Sequence, residues 1–505
     1  MCNYLIKAFI LSLLLPAILY SNQYDKSFFL KDVVLVGTFS DDSAKKVISK
    51  HIGKKQTFGD IKIITKELED YYKSKGYTLV KVTIPKQEIK DGVLKLRVDI
   101  AKIGNISVEG VKHYSSKFIK DSIVQKSGDL LNYQKLIKSL LVLNDYRDLK
   151  VSSFLKKSKL KNSTDMVLKV EDKKPLHVSI WYDNLGSEDT SKNRVGMDFF
   201  YGNLFKDGDE INVNPILSFS PSKTKLLSTS YSIPINNLQT KLKFGFIYAN
   251  YLAGGDFTAL DSKGNTYIYS IGVVHPLIRS ITNRVDISAT WTKKHARNYI
   301  LNKISSDENI NLFDASLLWQ NYSVSSTSSL YLTILEGVLS DSSTKSRADE
   351  DSDFSKVNMQ FFYNRAMGKK VNLLYTLSGQ YSASKLPPTE MFSIGGLTTV
   401  RGFKSGYKLG DSGFFTSLAS YYRFGFSDKK SFKVGAFCDY GRVYVKKPVP
   451  GESKESFLLG TGVEGILNIN DKYSSRLSLG YPLDSSDDLY KKELNIYLTI
   501  NAKLW

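Results

Sequence analysis

The stretch Leu494-Asn-Ile-Tyr-Leu-Thr-Ile-Asn-Ala-Lys-Leu504 alternates apolar and polar residues without a break. One face carries leucine, isoleucine and alanine, whereas the other carries asparagine, tyrosine, threonine and lysine. A strand of about 9–11 residues crosses a bilayer at a tilt, with lipid-facing apolar side chains alternating with lumen-facing polar ones. The stretch therefore predicts a transmembrane strand, although a half-buried strand of a soluble sandwich alternates in the same way.

The same alternation recurs through the C-terminal two-thirds of the chain, most clearly around Phe244, Tyr375, Cys438 and Leu479. Because unpaired backbone groups are not tolerated in hydrocarbon, strands span a membrane only as a closed barrel. The 31 tyrosines and 27 phenylalanines suit the aromatic girdles of such barrels. We therefore predict a transmembrane antiparallel β-barrel over residues 175–505. Sixteen strands give about 21 residues per strand with its connections, and fourteen or eighteen strands fit the length nearly as well.

Residues 1–21 have the pattern of a secretory signal peptide, because Lys7 precedes an apolar stretch that runs to Leu19 and Ser21 offers a small residue for cleavage. A short membrane anchor is the alternative. After removal of a signal, Cys438 is the one remaining cysteine, so no disulfide framework can form. No run of about 18 apolar residues is present, which excludes a helical membrane protein.

The formal net charge is +20, from 70 lysines and arginines against 50 acidic residues. The lysines are dispersed along strands and turns, without a basic arm or a basic helix interleaved with aromatic residues. Nucleic acid is therefore not an expected partner. Anionic lipid headgroups, a polyanion-lined path and simple compositional drift towards lysine all remain open.

The N-terminal part predicts a tandem repeat of small β-α-α-β-β units. In the first unit we expect a strand at Lys31–Gly37, helices at residues 43–52 and 60–75, and strands at Tyr77–Pro85 and Val93–Ile100. In the second we expect a strand at Ile103–Glu109, helices at Ser116–Gln125 and Tyr133–Leu143, and strands at Val151–Leu155 and Met166–Val170. The overall class is thus an α+β pair of modules followed by a barrel.

Local motifs in both repeats and in the first barrel strands carry a family resemblance. They include Lys75-Gly-Tyr77, Val82-Thr-Ile-Pro85, Leu94-Lys-Leu-Arg-Val98, Leu143-Asn144, Leu168-Lys-Val170 and Asp183-Asn-Leu-Gly186. The series closely resembles TpsB outer-membrane transporters of two-partner secretion, the ShlB/FhaC/HecB type. The resemblance implies periplasmic POTRA domains at residues 22–101 and 102–174. It also implies a barrel of 16 strands in the outer membrane of a Gram-negative bacterium.

The most specific motif is Val400-Arg-Gly-Phe403, which lies in a long segment over residues 384–412. It resembles the V-R-G-[FY] tip of the sixth extracellular loop, which in this superfamily folds back into the barrel. The glycine, Gly402, lets the chain turn sharply. The resemblance implies that Val400, Arg401, Gly402 and Phe403 form the tip of an in-folding loop.

The family partner of this tip is an F-x-D-x-G motif, present here from Phe437 through Asp439 to Gly441. Asp439 lies on the lumen parity of its strand, so a charged loop tip inside the barrel can reach it. A planar guanidinium grips a carboxylate with two hydrogen bonds, which predicts an ion pair between Arg401 and Asp439.

By resemblance, the protein translocates one large secreted TpsA-type partner, a haemolysin or adhesin, without ATP. No G-x-x-x-x-G-K-[ST] loop is present, and we expect no cofactor, metal or catalytic residue. The periplasmic repeats would capture the partner by adding its strand to a sheet edge. The candidate binding residues are Tyr77, Val80, Val82, Ile84, Pro85 and Gln87. Further expected partners are outer-membrane lipid and lipopolysaccharide, and the barrel-assembly machinery and periplasmic chaperones for biogenesis.

One departure and two rival functions bear on this interpretation. Family members commonly carry a plug helix before the first POTRA domain, which we expect to be absent here, so that pore occlusion rests on the loop with Arg401. The first rival is a barrel-assembly insertase of the same superfamily, which usually has more POTRA domains. The second is an outer-membrane enzyme, but none of the five histidines has a metal-ligand spacing such as H-E-x-x-H. A triad assembled across strands would leave no local motif.

Overall fold

The computed structural model describes residues 27–37, 39, 42–187, 189–219, 223–427, 430–487 and 490–505. The predicted signal peptide at residues 1–21 lies outside them. The chain divides into two compact units. The first comprises Met1–Gly110, Ile119–Leu140 and Val151–Glu171, and the second comprises Val111–Phe118, Leu141–Lys150 and Asp172–Trp505. No helix in the described part of the chain is long and apolar enough to cross a membrane.

The first predicted repeat is a three-stranded sheet with two helices. Its elements are β1 (Phe28–Leu30), β2 (Asp32–Gly37), α1 (Asp42–Ile48), β3 (Lys54–Gln56), α2 (Phe58–Ser74), β4 (Val80–Thr83) and β5 (Val93–Ile100). The sheet order is β2-β5-β4, with β2 parallel and β4 antiparallel to β5. The sequence did not predict the small ladder between β1 and β3.

Helix α2 begins two residues before the predicted start, because a capping box formed by Thr57 and Asp60 defines its N-terminus. The Thr57 hydroxyl accepts from the Asp60 amide at 3.2 Å, and the Asp60 carboxylate accepts from the Thr57 amide at 2.8 Å. One stripe of the helix is buried in the core of the repeat, formed by Ile61, Ile64, Leu68 and Tyr72.

The second repeat has the same order of elements. They are β6 (Lys102–Glu109), α3 (Ser116–Ser122), α4 (Tyr133–Leu143), β7 (Leu149–Lys157) and β8 (Ser163–Asp172). The sheet order β6-β8-β7, with β6 parallel to β8, matches that of the first repeat. The predicted tandem repeat is therefore confirmed. Helix α3 ends three residues before the predicted boundary, and β7 and β8 extend beyond theirs.

The predicted antiparallel barrel is also confirmed, and its closed sheet has sixteen strands within the described residues. They are β9 (Leu176–Asp183), β10 (Arg194–Gly202), β11 (Glu210–Ser218), β12 (Lys223–Pro234), β13 (Lys241–Leu252), β14 (Lys263–Arg279), β15 (Asn283–Ile300), β16 (Lys303–Tyr322), β17 (Ser326–Leu339), β18 (Asp353–Met367), β19 (Val371–Ser382), β22 (Ser412–Ser427), β23 (Lys430–Tyr444), β24 (Glu455–Ile469), β25 (Tyr473–Ser485) and β26 (Asn495–Lys503), with β20 (Phe392–Ile394) and β21 (Lys408–Gly410) in the long segment between β19 and β22. Another long loop, over residues 340–352, connects β17 to β18.

The alternation in the sequence assigns the two faces of the barrel wall correctly. In β26, Ile496 and Ile500 are 55% and 46% exposed on the outside, whereas Tyr497 is buried on the lumen side. In β23, Val434 is exposed and Asp439 is fully buried. A lipid-facing apolar surface and a polar lumen follow from this pattern.

The seam that closes the barrel is short. Strand β26 pairs with β9 only from Thr499 opposite Asp183 to Lys503 opposite Ser179. The Asn184 side chain extends this ladder, because its Nδ2 donates to the Ile496 carbonyl at 2.9 Å and its Oδ1 accepts from the Leu498 amide at 2.7 Å. The Asn184 side chain thus adds two hydrogen bonds to the seam, beside the bond from its own backbone amide to the Leu498 carbonyl at 3.3 Å.

We expect Asn184→Ala to weaken the seam by about 1–3 kcal/mol, because two hydrogen bonds of about 0.5–1.5 kcal/mol each are lost. The measurement is the temperature at which the folded band of the purified barrel converts to the unfolded band in heat-modifiable gel mobility. Asn372→Ala is the matched control, since its Nδ2 makes one long contact of 3.4 Å to Asn364, away from the seam. Equal conversion temperatures for the two variants would contradict the assignment.

Candidate functional site

The segment between β19 and β22 enters the lumen as a narrow hairpin. Strands β20 and β21 pair from Phe392 opposite Gly410 to Ile394 opposite Lys408, which brings the two arms of the segment together. The tip between them carries the V-R-G-F motif, and Val400 and Phe403 have no exposed surface. The motif that was predicted to fold inward therefore lies buried against the barrel wall.

Arg401 and Asp439, predicted as a pair, are in direct contact. The Arg401 Nε and Nη2 atoms lie 2.7 Å from the Asp439 Oδ2 and Oδ1 atoms, and the Arg401 backbone amide donates to Oδ2 at 3.0 Å. Both side chains are buried, Asp439 completely. A bidentate pair with a third hydrogen bond from the same residue fixes both the position and the orientation of the tip.

Further groups of the wall complete the surroundings of the guanidinium. Its Nη2 donates to the Ser417 hydroxyl at 3.0 Å, and its Nη1 lies 3.5 Å from the buried Glu464 carboxylate. The Tyr421 hydroxyl donates to the other Glu464 oxygen at 2.8 Å. The guanidinium carbon lies 3.3 Å from the centre of the Phe437 ring, within the range of a cation–π contact. The site thus holds one arginine between two carboxylates and one aromatic face.

Glycines form the part of the wall against which the tip lies. A Cβ atom at Gly460 would meet the Arg401 carbonyl oxygen at 1.9 Å, and one at Gly480 would meet the Gly402 nitrogen at 2.5 Å. Gly402 itself has φ +99°, a conformation that other residues rarely adopt. The third glycine of the wall, Gly441 of the F-x-D-x-G motif, faces Val400 and Ile394. Close approach of backbone to backbone therefore requires glycine at positions 460 and 480, whereas at Gly441 a Cβ atom would meet the side chains of Val400 and Ile394.

The last strand of the barrel also holds the tip. The Tyr497 hydroxyl accepts from the Gly402 amide at 3.0 Å and donates to the Phe403 carbonyl at 2.8 Å. Nearby, the Asn495 Nδ2 donates to the Gly402 carbonyl at 2.7 Å. The polar groups of the turn are therefore satisfied by β26, the strand that closes the barrel.

An apolar cluster surrounds the tip on its outer side. Phe403 lies with its ring 5.0 Å from that of Tyr490 and 6.2 Å from that of Tyr407. Its buried members are Ile394, Val400, Phe403, Phe415, Val443 and Leu458. Apolar packing thus supports the ion pair and excludes water from one side of it.

The base of the same segment is held by a second ion pair. Asp411, which is completely buried, accepts from Arg347 Nη1 at 2.8 Å and from the backbone amides of Leu386 and Lys446, both at 2.7 Å. These partners belong to the loops after β17, β19 and β23. One carboxylate therefore joins three loops on the long-loop rim of the barrel.

Glu390 is a third anchor of the segment. Its two oxygens lie 2.8 Å from Lys294 Nζ and 2.9 Å from Lys356 Nζ, and all three side chains are mostly buried. Burial alone would raise the pKa of Glu390, but the two lysine charges hold it below its ordinary value. The carboxylate therefore stays ionised, and the segment is fixed at its tip and at both arms.

At the opposite rim, the segment after α4 contacts the short turns of the barrel. The Asp145 carboxylate lies 2.8 Å from Arg279 and 2.9 Å from Arg284, and both arginines also contact Asp286. Next to it, the Tyr146 hydroxyl donates to Gln239 at 2.5 Å. A cavity of about 540 Å³ lined by these groups lies at this end of the lumen.

The residues predicted to bind the partner are divided between core and surface. Val80 and Val82 are buried in the core of the first repeat, and Ile84 and Tyr77 pack against that core, so these side chains contact the repeat itself. The predicted strand Tyr77–Pro85 is shorter than expected, because only Val80–Thr83 pairs with β5. Pro85 has no amide proton to donate to β5. Beyond it, the Gln87 side chain takes the place of backbone pairing: its Nε2 donates to the Lys95 carbonyl at 2.7 Å, and its Oε1 accepts from the Lys95 amide at 2.8 Å.

Strand β4 lies at the edge of its sheet. The outward amide of Val82 is not free, because it donates to the Glu69 carboxylate of α2 at 3.0 Å. Any strand that adds to this edge must displace that carboxylate. The structure therefore limits the predicted contact at Val80 and Val82 to their backbone groups.

Sequence reasoning missed several groups around Arg401. Glu464 and Gly460 share the lumen parity of β24, and Gly480 and Tyr497 lie on the two strands that follow. The alternation of Gly460, Gly462 and Glu464 on the lumen side of β24 could have predicted a buried acid, and such an acid needs a positively charged partner. The contacts of Gly480 and Tyr497 depend on the register of distant strands, and no local motif indicates them. Groups of three or more potential metal ligands are not found in the described part of the chain.

Comparisons with known proteins agree with this architecture. The family model described as "Haemolysin secretion/activation protein ShlB/FhaC/HecB" matches residues 162–465, and the model "POTRA domain, ShlB-type" matches residues 28–99. A curated relative, the heme/hemopexin transporter protein HuxB of Haemophilus influenzae (strain 86-028NP), is 22% identical over 462 residues, 88% of this chain and 81% of the relative.

Two solved structures have a similar fold. CdiB from Escherichia coli has a TM-score of 0.84 at 18% identity and covers 96% of this chain and 92% of its own. BamA from Haemophilus ducreyi lacking POTRA domains 1–3 has a TM-score of 0.54 at 15% identity and covers 94% of this chain.

We expect Arg401→Ala to lower the free energy of unfolding by about 3–5 kcal/mol, because it leaves Asp439 buried without its cation. Glu464 would keep only one cation, Arg476, whose Nε lies 3.7 Å away. The measurement is equilibrium unfolding of the purified protein in detergent, followed by tryptophan fluorescence. Arg442→Ala is the control on the same strand as Asp439. Arg442 pairs with the exposed Glu455 at 2.8 Å, and such pairs contribute about 0–1 kcal/mol. Similar losses for both variants would contradict the account.

Proposed function

Because the chain belongs to the ShlB/FhaC/HecB family of haemolysin secretion and activation proteins, we propose that it translocates one large secreted partner by two-partner secretion, without ATP. Membership makes it an outer-membrane transporter of the TpsB type, with its POTRA region in the periplasm. The partner is a TpsA-type exoprotein, and the haemolysin or adhesin class is the finer proposal. The observation that carries it is the closed barrel of sixteen strands, a number that in porins leaves an aqueous channel, with the loop tip and Arg401 inside its lumen.

Occlusion of the lumen by the tip is the first step of the proposed mechanism. The tip is held by Asp439, Tyr497 and the apolar cluster, and these contacts support a closed state in which the tip blocks the path of an extended chain. Passage of the partner shifts the equilibrium towards a state in which the tip has left the wall. Such a shift needs a partner segment that interacts more favourably with the open state than with the closed one.

Capture of the partner in the periplasm is the second step. Strand β4 is an edge strand, and its outward backbone groups can pair with an extended segment of any sequence. The incoming carbonyl replaces the Glu69 carboxylate on the Val82 amide. Main-chain pairing suits a transporter that must bind its partner before the partner folds.

Entry into the barrel is the third step. Asp145, Arg279, Arg284 and Asp286 alternate in charge around the cavity at the rim with the short turns, which is the periplasmic rim in barrels of this kind. A polar, hydrated surface with both signs of charge lets a polypeptide slide without strong binding. Folding of the partner outside the cell then biases the motion outward. Outer-membrane lipid and lipopolysaccharide surround the barrel, and the assembly machinery and periplasmic chaperones serve its biogenesis.

The first test measures secretion and conductance of the same variants. We expect Arg401→Ala to raise single-channel conductance above that of a nearly closed wild type, because the freed tip leaves the lumen. Export of a candidate partner encoded beside this gene is expected to fall with Arg401→Ala and to stop on deletion of residues 28–172. Heat-modifiable mobility reports whether each variant barrel inserts.

Arg442→Ala is the control for both readouts, since Arg442 lies on the same wall without contacting the tip. Equal conductance of wild type and Arg401→Ala would refute occlusion by the tip. Unchanged export together with impaired assembly of other outer-membrane proteins would favour an insertase instead.

The second test concerns the edge of β4. We expect Glu69→Ala to bind the secretion domain of the partner several-fold more tightly, since the competing carboxylate on the Val82 amide is removed and one hydrogen bond is worth about 1 kcal/mol. Affinity is measured by titration calorimetry with the purified full chain. Glu67→Ala is the control on the same helix, where Glu67 contacts His51 and Lys50 instead. Equal affinities of the two variants would place capture at another edge.

A further inference from the structure

The loop at residues 340–352 lies along the outer end of β16. The Asp307 amide and carbonyl exchange hydrogen bonds with those of Thr344 at 3.0 and 2.8 Å, and the Ser343 hydroxyl accepts from the Asn309 amide at 3.0 Å. Between these contacts, Glu308 points into the lumen and accepts from the Ser346 amide at 3.2 Å. The loop thereby brings a second acid, Glu350, to the same place.

Both carboxylates are buried, with Glu308 1% and Glu350 2% exposed. Three of their four oxygens have no hydrogen-bond partner among the described residues: Oε2 of Glu308, and Oε1 and Oε2 of Glu350. The backbone amides of Arg347 and Ser346 approach the Glu350 carboxylate closely enough to lower its pKa, but neither contact meets full hydrogen-bond geometry. Unpartnered buried carboxylate oxygens are costly, so this arrangement lacks a component.

Positive charge close to the pair is scarce. The Lys345 ammonium is exposed and donates to the Glu350 backbone carbonyl at 2.7 Å. Arg347 is occupied by Asp411 and by Glu452. Burial and the Glu308 charge raise the pKa of Glu350 to about 7. Among the described residues, Lys345 is the cation that acts on Glu350, so one positive charge stands against two buried acids.

We propose that Glu308 and Glu350 bind a divalent cation, with Ca²⁺ as the favoured ion. Carboxylate and carbonyl oxygens are the ligands that Ca²⁺ and Mg²⁺ prefer, and Ca²⁺ tolerates irregular sites completed by water. A divalent ion neutralises both acids at once and supplies partners for the three free oxygens. The rim of the barrel that carries the long loops faces the outside of the cell, where the ion is supplied from the medium.

The ion has a structural consequence for the in-folding loop. Arg347 lies three residues before Glu350 and holds Asp411 at the base of that loop. An ion on Glu350 fixes the 340–352 loop to β16 and so keeps Arg347 in place. The cation site therefore stabilises the base of the in-folding loop without contacting its tip.

The test uses the full chain purified in non-ionic detergent, free of lipopolysaccharide and stripped of metal by a chelator. Ca²⁺ is added up to about ten times an expected Kd of about 10⁻⁴–10⁻³ M, the range of extracellular modules. We expect the thermal unfolding temperature of wild type to rise with saturation, and Glu350→Gln to weaken Ca²⁺ binding at least tenfold. Glu336→Gln, an exposed acid on β17, is the matched control and is expected to respond as wild type does. Mg²⁺ titrations measure the ion preference.

Several outcomes overturn the proposal. The proposal is wrong if neither Ca²⁺ nor Mg²⁺ changes the thermal unfolding temperature of the wild type. It is also wrong if wild type and Glu350→Gln bind Ca²⁺ equally well. Wild type whose stability falls as the pH rises from about 4.5 towards 7, at every Ca²⁺ concentration, would show that the pair shares a proton instead. If Glu350→Gln does not fold, Ca²⁺ binding by Glu308→Gln is compared with that of the wild type instead, and the same loss of at least tenfold is expected.

Discussion

A guanidinium buried inside a closed barrel must be neutralised where it lies, and much of the surrounding wall serves that requirement. Asp439 supplies a bidentate partner, Glu464 a second charge, and Phe437 an aromatic face on which the guanidinium rests. Glycines at 460 and 480 let the loop backbone come close enough for these contacts to form. The groups around the tip therefore form one interaction distributed over three strands and one loop.

The in-folding loop is held at two levels, which differ in what they contact. Its tip is held by the wall deep in the lumen, whereas its base is held by other loops through Asp411 and by strands β15 and β18 through Glu390. Because the base does not depend on Asp439, the tip can leave the wall while the base remains anchored. This division confines a displacement of the loop to its tip, because the contacts of the base remain in place.

The sequence predicts features whose signal is local. Alternation over Leu494–Leu504 predicted β26, and the parity of residues along β23 placed Asp439 on the inner face. The contacts of Tyr497 and Gly480 with the tip were not predictable, because they arise from strand register across a closed sheet. Likewise, Glu308 and Glu350 are unremarkable in sequence and become informative only when the loop buries both.

The proposed capture of a partner at the edge of β4 poses a conflict between solubility and recognition. A sheet edge that binds an unfolded partner also binds other edges, which leads to aggregation. Glu69 resolves the conflict by satisfying the outward Val82 amide with a side chain that a partner strand can displace. The cost of displacement is about one hydrogen bond, since the released carboxylate returns to water. A partner that pairs over several residues recovers this cost, whereas an accidental contact of one residue does not. Reversible protection of the edge therefore favours long extended segments, as the proposed capture of an unfolded partner requires.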